Sequence, residues 1–172
     1  MKKVLFLFMI SLIFFGCEKK EAKNELSKPL VFRDGLYYAD STSTVPYTGR
    51  NKSKMLDQII EYDVSKGIRE GDFIVYYPNK NIQILGKLSN NKNVGEWKYY
   101  YSNGALETVG NFVEDKPAGK WIWYYPDGKI AEEGILLEGK REGVWKSYDS
   151  LGAAKILRTY KNDELIDSTS VE

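Results

Sequence analysis

Apolar and polar positions recur with a period of 24 residues over the second half of the chain. A glycine opens each copy, an aromatic residue follows two positions later, and a tyrosine follows three positions after that. The glycines are Gly71, Gly95, Gly119 and Gly143, the aromatic residues are Phe73, Trp97, Trp121 and Trp145, and the tyrosines are Tyr76, Tyr100, Tyr124 and Tyr148. This regular spacing predicts a tandem array of one structural unit.

Each copy predicts one β-hairpin. Residues 97–101 are rich in side chains that suit a pleated strand, Asn103 and Gly104 give a strong signal for a tight turn, and residues 105–112 form the returning strand. Beyond the N-terminal apolar run, no segment shows the apolar period of a helix. The predicted fold is therefore all-β, an elongated single-layer antiparallel meander of tandem hairpins.

A two-residue hairpin loop would fix which residues pair across the strands. It pairs each aromatic residue of the column with a third repeated position, namely Phe73 with Gly86, Trp97 with Gly110, Trp121 with Gly134 and Trp145 with Arg158. We expect each glycine to make room for the ring opposite it, and the last pair to form a cation–π contact. A three-residue loop with a bulge would shift every pair by one position.

The aromatic columns allow two interpretations. Because the sheet has one layer, the tryptophan rings can serve as its core, packed along the strands. The tyrosines at positions 76, 100, 124 and 148 lie on the opposite face, since side chains alternate along a strand. They are the candidate binding residues, because tyrosine is enriched where proteins bind partners. The glycines and the large aromatic residues of the repeat are assigned structural roles.

The N-terminus carries a different pattern. Two lysines precede an uncharged apolar run at residues 4–15, which is shorter than the roughly 20 residues of a membrane helix, and Gly16-Cys17 follows it. These residues resemble the lipobox of bacterial lipoproteins, although Phe14 and Phe15 depart from its usual residues. The resemblance implies that Cys17 carries the lipid. An uncleaved membrane anchor and an ordinary signal peptide are the alternatives, and all three place the remaining chain outside the cytoplasm.

The predicted organisation follows from these patterns. The chain divides into a lipoprotein signal peptide (1–16), a lipid-anchored flexible tether (17–30), leading strands or a partial repeat (31–66), four 24-residue hairpin repeats (67–162) and a polar C-terminal tail (163–172). Within the leading part, residues 55–62 are predicted to form one strand.

Composition narrows the chemistry. The chain has no histidine and one cysteine, so the commonest proton shuttle and metal ligand is missing and no internal disulfide can form. The adjacent acids Glu132 and Glu133 point to opposite faces of a strand, which makes them poor partners in catalysis. With 25 basic and 24 acidic residues, the charge is balanced and argues against nucleic acid as a partner. We expect no enzymatic activity, no cofactor and no bound metal.

The pattern from Gly119 to Lys129 resembles the MORN-repeat variant. Together with the leading Asp34-Gly35-Leu36-Tyr37-Tyr38, the serial arrangement resembles the YwqK-family antitoxins. The resemblance implies an interaction protein. We expect a lipoprotein of the cell envelope that is anchored in the outer membrane and binds a protein partner there. An antitoxin or immunity role is the narrower form of this expectation. Binding to membrane lipid and binding to cell-surface carbohydrate are the alternatives.

Overall fold

A computed structural model describes residues 26–171. These residues form β-strands and turns without a helix, so this part of the chain offers no helical segment that could cross a membrane. The strands are β1 (Val31–Arg33), β2 (Leu36–Tyr38), β3 (Gly49–Met55), β4 (Gln58–Ser65), β5 (Ile68–Tyr76), β6 (Ile82–Ser89), β7 (Lys92–Tyr100), β8 (Leu106–Val113), β9 (Lys116–Tyr124), β10 (Ile130–Leu137), β11 (Lys140–Tyr148), β12 (Ala154–Lys161) and β13 (Glu164–Ser170).

The sheet confirms the predicted meander of hairpins. Strands β3 to β13 form one 11-stranded antiparallel sheet in which spatial order equals sequence order, and β1 and β2 form a separate hairpin. Each interior strand of the large sheet therefore pairs with the strands that precede and follow it in the chain. This topology follows from the short turns, since antiparallel neighbours need only a few connecting residues.

The two kinds of turn lie at opposite ends of the strands. The turn between β6 and β7 has two residues, Asn90 and Asn91, with φ of 52° and 65°, as a type I′ turn requires. The turn between β7 and β8 is longer: Tyr101 and Ala105 close it, and Gly104, at φ 88°, donates its N–H to the Tyr101 carbonyl at 2.8 Å. The repeat turn thus has three residues, and the assumption of a two-residue loop was wrong.

The predicted pairs nevertheless form. Trp97 pairs with Gly110, and the equivalent pairs occur in the other three copies. The reason is a β-bulge beside the turn, where Tyr100 pairs with Leu106 but Tyr99 pairs with Thr108. The additional residue in the returning strand compensates the additional residue in the loop. Beyond the bulge, from the Tyr99–Thr108 pair to the far end of the hairpin, the strands therefore pair in the predicted register.

The tryptophan rings lie across the strand that precedes them, and not across the partner we predicted. A Cβ added to Gly86 would lie 2.3 Å from the Trp97 ring, and one added to Gly110 would lie 2.1 Å from the Trp121 ring. Trp145 covers Gly134 in the same way. Each ring thus packs one hairpin onto the hairpin before it, and the three rings are only 4–5% exposed. They form the core of the sheet, in the way that aromatic rings cover glycines in other sheets.

This packing explains why the glycine column ends at Arg158. In β13, the strand after β12, the position one repeat beyond Trp145 holds Thr169, so no tryptophan needs the space above position 158. The expected cation–π contact between Arg158 and Trp145 is absent; the guanidinium near that ring belongs to Arg141, with its Cζ 6.0 Å from the ring centroid. Arg158 instead donates a hydrogen bond to the Ser147 hydroxyl at 3.1 Å.

The N-terminal part covers the first strands of the sheet. Asn51 on β3 is fully buried and donates to the Ser27 hydroxyl at 2.9 Å and to the Lys28 carbonyl at 3.2 Å. The β1–β2 hairpin lies over β4, with the Tyr37 and Tyr62 ring centroids 6.2 Å apart. Residues 26–30 of the predicted tether are thus attached to the sheet edge, while residues 17–25 lie outside the described part of the chain.

Two predictions about the ends of the array need correction. Residues 55–62 do not form one strand, because Leu56, at φ 54°, and Asp57 make a turn between β3 and β4. The C-terminal residues are polar as expected, but they do not form only a tail, since β13 pairs with β12 from Glu164 to Ser170. Every residue of β13 is exposed.

Candidate functional site

The two faces of the sheet differ in how they use their aromatic residues. We call the side that carries Trp97, Trp121 and Trp145 the tryptophan face. We call the side that carries Tyr76, Tyr100, Tyr124 and Tyr148 the tyrosine face. The four tyrosines are half-buried, whereas the three tryptophans are buried. The structure therefore leaves the tyrosine column accessible, while the tryptophan column is consumed by packing between hairpins.

The outer tyrosines of the column are held by carboxylates. Tyr76 donates its hydroxyl hydrogen to Glu61 at 3.0 Å, and Tyr148 donates to Glu133 at 2.7 Å. Burial and the Glu61 contact raise the pKa of Tyr76, and the Glu133 contact followed by burial raises the pKa of Tyr148. The hydrogen-bonding capacity of these two hydroxyls is therefore largely used inside the protein.

The two middle tyrosines differ. Leu85 and Val109 occupy the positions that Glu61 and Glu133 hold in the outer copies, so Tyr100 and Tyr124 have no carboxylate beside them. Among residues 26–171, neither hydroxyl has a hydrogen-bond partner. Each of these two rings keeps a hydroxyl available to a partner, beside apolar side chains.

Charged side chains surround this apolar centre. Lys98 lies 2.7 Å from Glu96, and Lys120 lies 2.8 Å from Glu133. The contact with Lys120, together with the one from Tyr148, lowers the pKa of Glu133. Half-buried Ile122 lies between the charged groups on the same face. An apolar centre with a paired polar rim is the arrangement found at protein–protein interfaces.

Shallow depressions mark the tyrosine face where the strands bend. The register between β6 and β7 shifts around Gly86, which opposes three residues that begin with Gly95, at φ 66°. The resulting open depression has a volume of about 600 Å³ and is lined by Leu85 and Lys98 among others. An equivalent depression of about 250 Å³ lies two repeats later, beside Lys146. The repeat glycines Gly71, Gly119 and Gly143, at φ 77°, 73° and 69°, occupy the equivalent bends.

The second tyrosine of the motif has a structural role. Tyr77, Tyr101 and Tyr125 each donate a hydrogen bond to a backbone carbonyl of the next repeat, at 2.6–2.7 Å. At the other end of the strands, the two-residue turns join neighbouring hairpins. The Asp115 N–H donates to the Asn93 carbonyl at 3.0 Å, and the Asp115 carboxylate accepts from the Asn93 N–H at 2.8 Å. Successive hairpins are therefore connected at both ends of their strands as well as through the tryptophans.

One polar cluster escaped the sequence reasoning. On the tryptophan face, Ser147 donates to Glu132 at 3.1 Å and accepts from Arg158 at 3.1 Å. The signal was present in the sequence, because all three residues depart from the usual residues of their columns. The strand pairing deduced from the sequence brings Arg158 to Trp145 alone. Within residues 26–171, no group of three or more acidic or cysteine side chains could hold a metal ion. The predicted lipidation site, Cys17, lies outside these residues.

Comparison with protein families matches three segments of the chain, residues 69–90, 93–114 and 118–135, to the family described as MORN repeat variant. The segments correspond to the hairpins β5–β6, β7–β8 and β9–β10, which are the first three of the four 24-residue repeats. A search of curated proteins gives no match. The comparison thus supports a MORN-like repeat array, a class of module that often mediates interactions with proteins or membranes.

Proposed function

We propose that this protein is a non-enzymatic interaction module of the cell envelope, and that it binds a protein partner through the tyrosine face. The observation that carries the proposal is the state of Tyr100 and Tyr124. Both rings are half-exposed, both hydroxyls are without a partner among the described residues, and apolar side chains lie beside them. Tyrosine suits this role because it offers a large apolar ring and one polar group.

The array has the size that a protein interface needs. Two strands per repeat, about 4.8 Å apart, advance the sheet by about 10 Å per copy. Four copies therefore present a surface roughly 40 Å long, which suffices for the ~800 Å² that each partner usually buries. The middle of this surface is the place where Tyr100 and Tyr124 lie.

The test is a comparison of two double variants of the full-length chain. In the first, Tyr100→Ser and Tyr124→Ser remove both free rings. In the control, Leu56→Ser and Leu151→Ser remove apolar groups that are 92% and 83% exposed and that lie in turns between strands. Proteins cross-linked to each variant in intact cells are identified, and the affinity of the purified partner for each variant is then measured.

We expect the tyrosine variant to lose the partner at least tenfold in affinity while its circular dichroism stays that of a β-protein. The control variant should bind as the wild type does. Equal binding by both variants would refute the role of the tyrosine face. A hydrolase or transferase activity that is lost when one acidic residue is changed would refute the non-enzymatic part of the proposal.

The envelope location rests on Cys17 and is tested separately. The apolar run that ends at Gly16-Cys17 predicts that the wild type incorporates labelled palmitate and that Cys17→Ala does not. Equal labelling of the two proteins would remove the lipid anchor from the proposal. An antitoxin role is the narrower form, in which the partner is a toxin, and a toxin gene beside this one would support it.

A further inference from the structure

Three departures from the repeat pattern meet at one place on the tryptophan face. Glu132, Ser147 and Arg158 lie on the adjacent strands β10, β11 and β12. The equivalent positions in the other copies hold mainly apolar residues or glycine: Ile84, Thr108 and Ile156 for the first, Val75, Tyr99 and Trp123 for the second, and Gly86, Gly110 and Gly134 for the third. Three independent exceptions that touch one another indicate a local role beyond the repeat.

The cluster is ordered but not saturated. Ser147 bridges the other two side chains by hydrogen bonds of 3.1 Å, and the guanidinium of Arg158 lies 4.0 Å from the Glu132 carboxylate. The side chains of Arg158 and Glu132 remain 31% and 38% exposed. A carboxylate and a guanidinium are thus fixed in position, and each still has hydrogen-bonding capacity directed to solvent. A cluster that only filled the end of the core would not need this exposure.

An aromatic ring lies directly beside these polar groups. Trp123 on β9 pairs with Glu132 across the sheet. Its ring is half-exposed, and its centroid lies 5.4 Å from that of the buried Trp145. On the far side, the polar row continues to the edge strand, because Ser168 pairs with Arg158. The site therefore combines an accessible tryptophan with a row of oriented polar side chains.

We infer that this cluster, formed by Trp123, Glu132, Ser147 and Arg158, binds a saccharide. A sugar ring has an apolar face of C–H groups, which packs on an aromatic ring, and hydroxyls, which both donate and accept. The Glu132 carboxylate accepts from one hydroxyl while the Arg158 guanidinium donates to its neighbour, and charge-assisted hydrogen bonds of this kind are the strong ones. A few oriented polar groups beside an aromatic surface are what fixes a small ligand.

The saccharide site is independent of the proposed protein interface. Glu132 and Glu133 are consecutive on β10 and therefore point to opposite faces. Glu133 belongs to the tyrosine face, where it accepts from Tyr148 at 2.7 Å. If the tyrosine variants still bind the protein partner, the saccharide inference is therefore unaffected. If no saccharide binds, the proposed protein interface is likewise unaffected.

These consecutive acids supply the matched control. The full-length protein is titrated with cellotriose, maltotriose and tri-N-acetylchitotriose, and binding is followed by saturation-transfer NMR of the sugar and by tryptophan fluorescence. We expect one of the three to bind with a Kd of about 0.1–1 mM, as suits a small open site. Glu132→Gln and Ser147→Ala should weaken that binding at least tenfold, and Glu133→Gln should change it less than twofold.

Trp123→Phe should weaken binding while the thermal midpoint of each variant, measured by circular dichroism, stays within a few degrees of the wild type. Absence of binding for all three sugars at concentrations up to about 10 mM would overturn the inference, since a Kd of 1 mM gives nearly full occupancy there. Equal effects of Glu132→Gln and Glu133→Gln would also overturn it. So would a large loss of stability in Glu132→Gln with unchanged sugar binding, because the cluster would then be structural.

Discussion

Gly110→Ala tests the packing that joins the repeats. The new Cβ would lie 2.1 and 2.2 Å from the Trp121 Cδ2 and Cε2 atoms, whereas carbon atoms in contact prefer roughly 3.5–4 Å. The ring must therefore move away from the strand by more than 1 Å, about the difference between these distances. Phe112 and Trp123, with centroids 5.3 and 5.9 Å from that of Trp121, restrict the movement.

The expected cost follows from what the ring loses. Truncation of a buried tryptophan costs about 3–5 kcal/mol, which is the upper limit if Trp121 leaves its position altogether. Alanine is favoured over glycine in a strand by roughly 0.5–1 kcal/mol, and this gain offsets part of the loss. We expect Gly110→Ala to lower the free energy of unfolding by about 2–4 kcal/mol in a urea titration followed by circular dichroism.

Two further variants separate this mechanism from a general effect. In a Trp121→Ala background the clash is gone, so Gly110→Ala should be neutral or stabilising by up to about 1 kcal/mol. Arg158→Ala changes the same column where no tryptophan follows, and should cost about 1 kcal/mol through its lost hydrogen bond. Additive effects of Gly110→Ala and Trp121→Ala, or a Gly110→Ala protein as stable as the wild type, would contradict the packing.

Three other changes test the hydrogen bonds at the repeat turns, the stabilising carboxylates and the size of the repeat unit. Tyr101→Phe removes one hydrogen bond to the next repeat and should cost about 0.5–1.5 kcal/mol in the same titration, with partner binding unchanged. Burial alone would raise the pKa of Glu61, but its hydrogen bonds prevail and lower this pKa below 4.5, as those of Glu133 do for that residue. The stabilisation by these carboxylates is therefore present above pH 4.5 and should be lost as the pH falls through the folded-state pKa. In thermal melts, the melting temperature of Glu61→Gln should fall less on acidification than that of the wild type. Deletion of residues 95–118 should leave a folded, less stable β-protein by circular dichroism, and deletion of residues 95–106 should unfold it, because it removes one strand and reverses those that follow.

The sequence predicted the repeat, the strand pairs and the faces because these depend on local signals. Alternation along a strand assigns Trp97 and Tyr100 to opposite sides, and a period of 24 residues preserves this assignment in each copy. The pairing of Trp97 with Gly110 was correct although the loop length was wrong. The loop takes one additional residue from the outgoing strand and the bulge adds one to the returning strand, so their effects cancel from the Tyr99–Thr108 pair onward. Pairing deduced from a period can therefore survive an error in the turn.

The direction of the tryptophan rings could not be predicted from strand pairing. A ring opposite Gly110 has a neighbouring strand on each side, and the pairing does not say which one it crosses. In the structure, the register shift between β6 and β7 sets residues 95–97 opposite Gly86, and the Trp97 ring covers that glycine on the preceding strand. The contact of Ser27 with Asn51 was also hidden, since an irregular segment at a sheet edge has no periodic pattern to reveal it.

The glycine column connects the two faces of the sheet physically. Gly86 lies under the Trp97 ring on one face and lines an open depression on the other. Packing therefore demands glycine at this column wherever a tryptophan follows, but it sets no such demand on the neighbouring column of the tyrosine face, which holds Leu85, Val109 and Glu133 in successive copies. Because stability places no such constraint on the column of Leu85, Val109 and Glu133, its side chains can differ between repeats to suit a binding partner. If the proposed function holds, recognition is concentrated at the apolar pair beside Tyr100 and Tyr124.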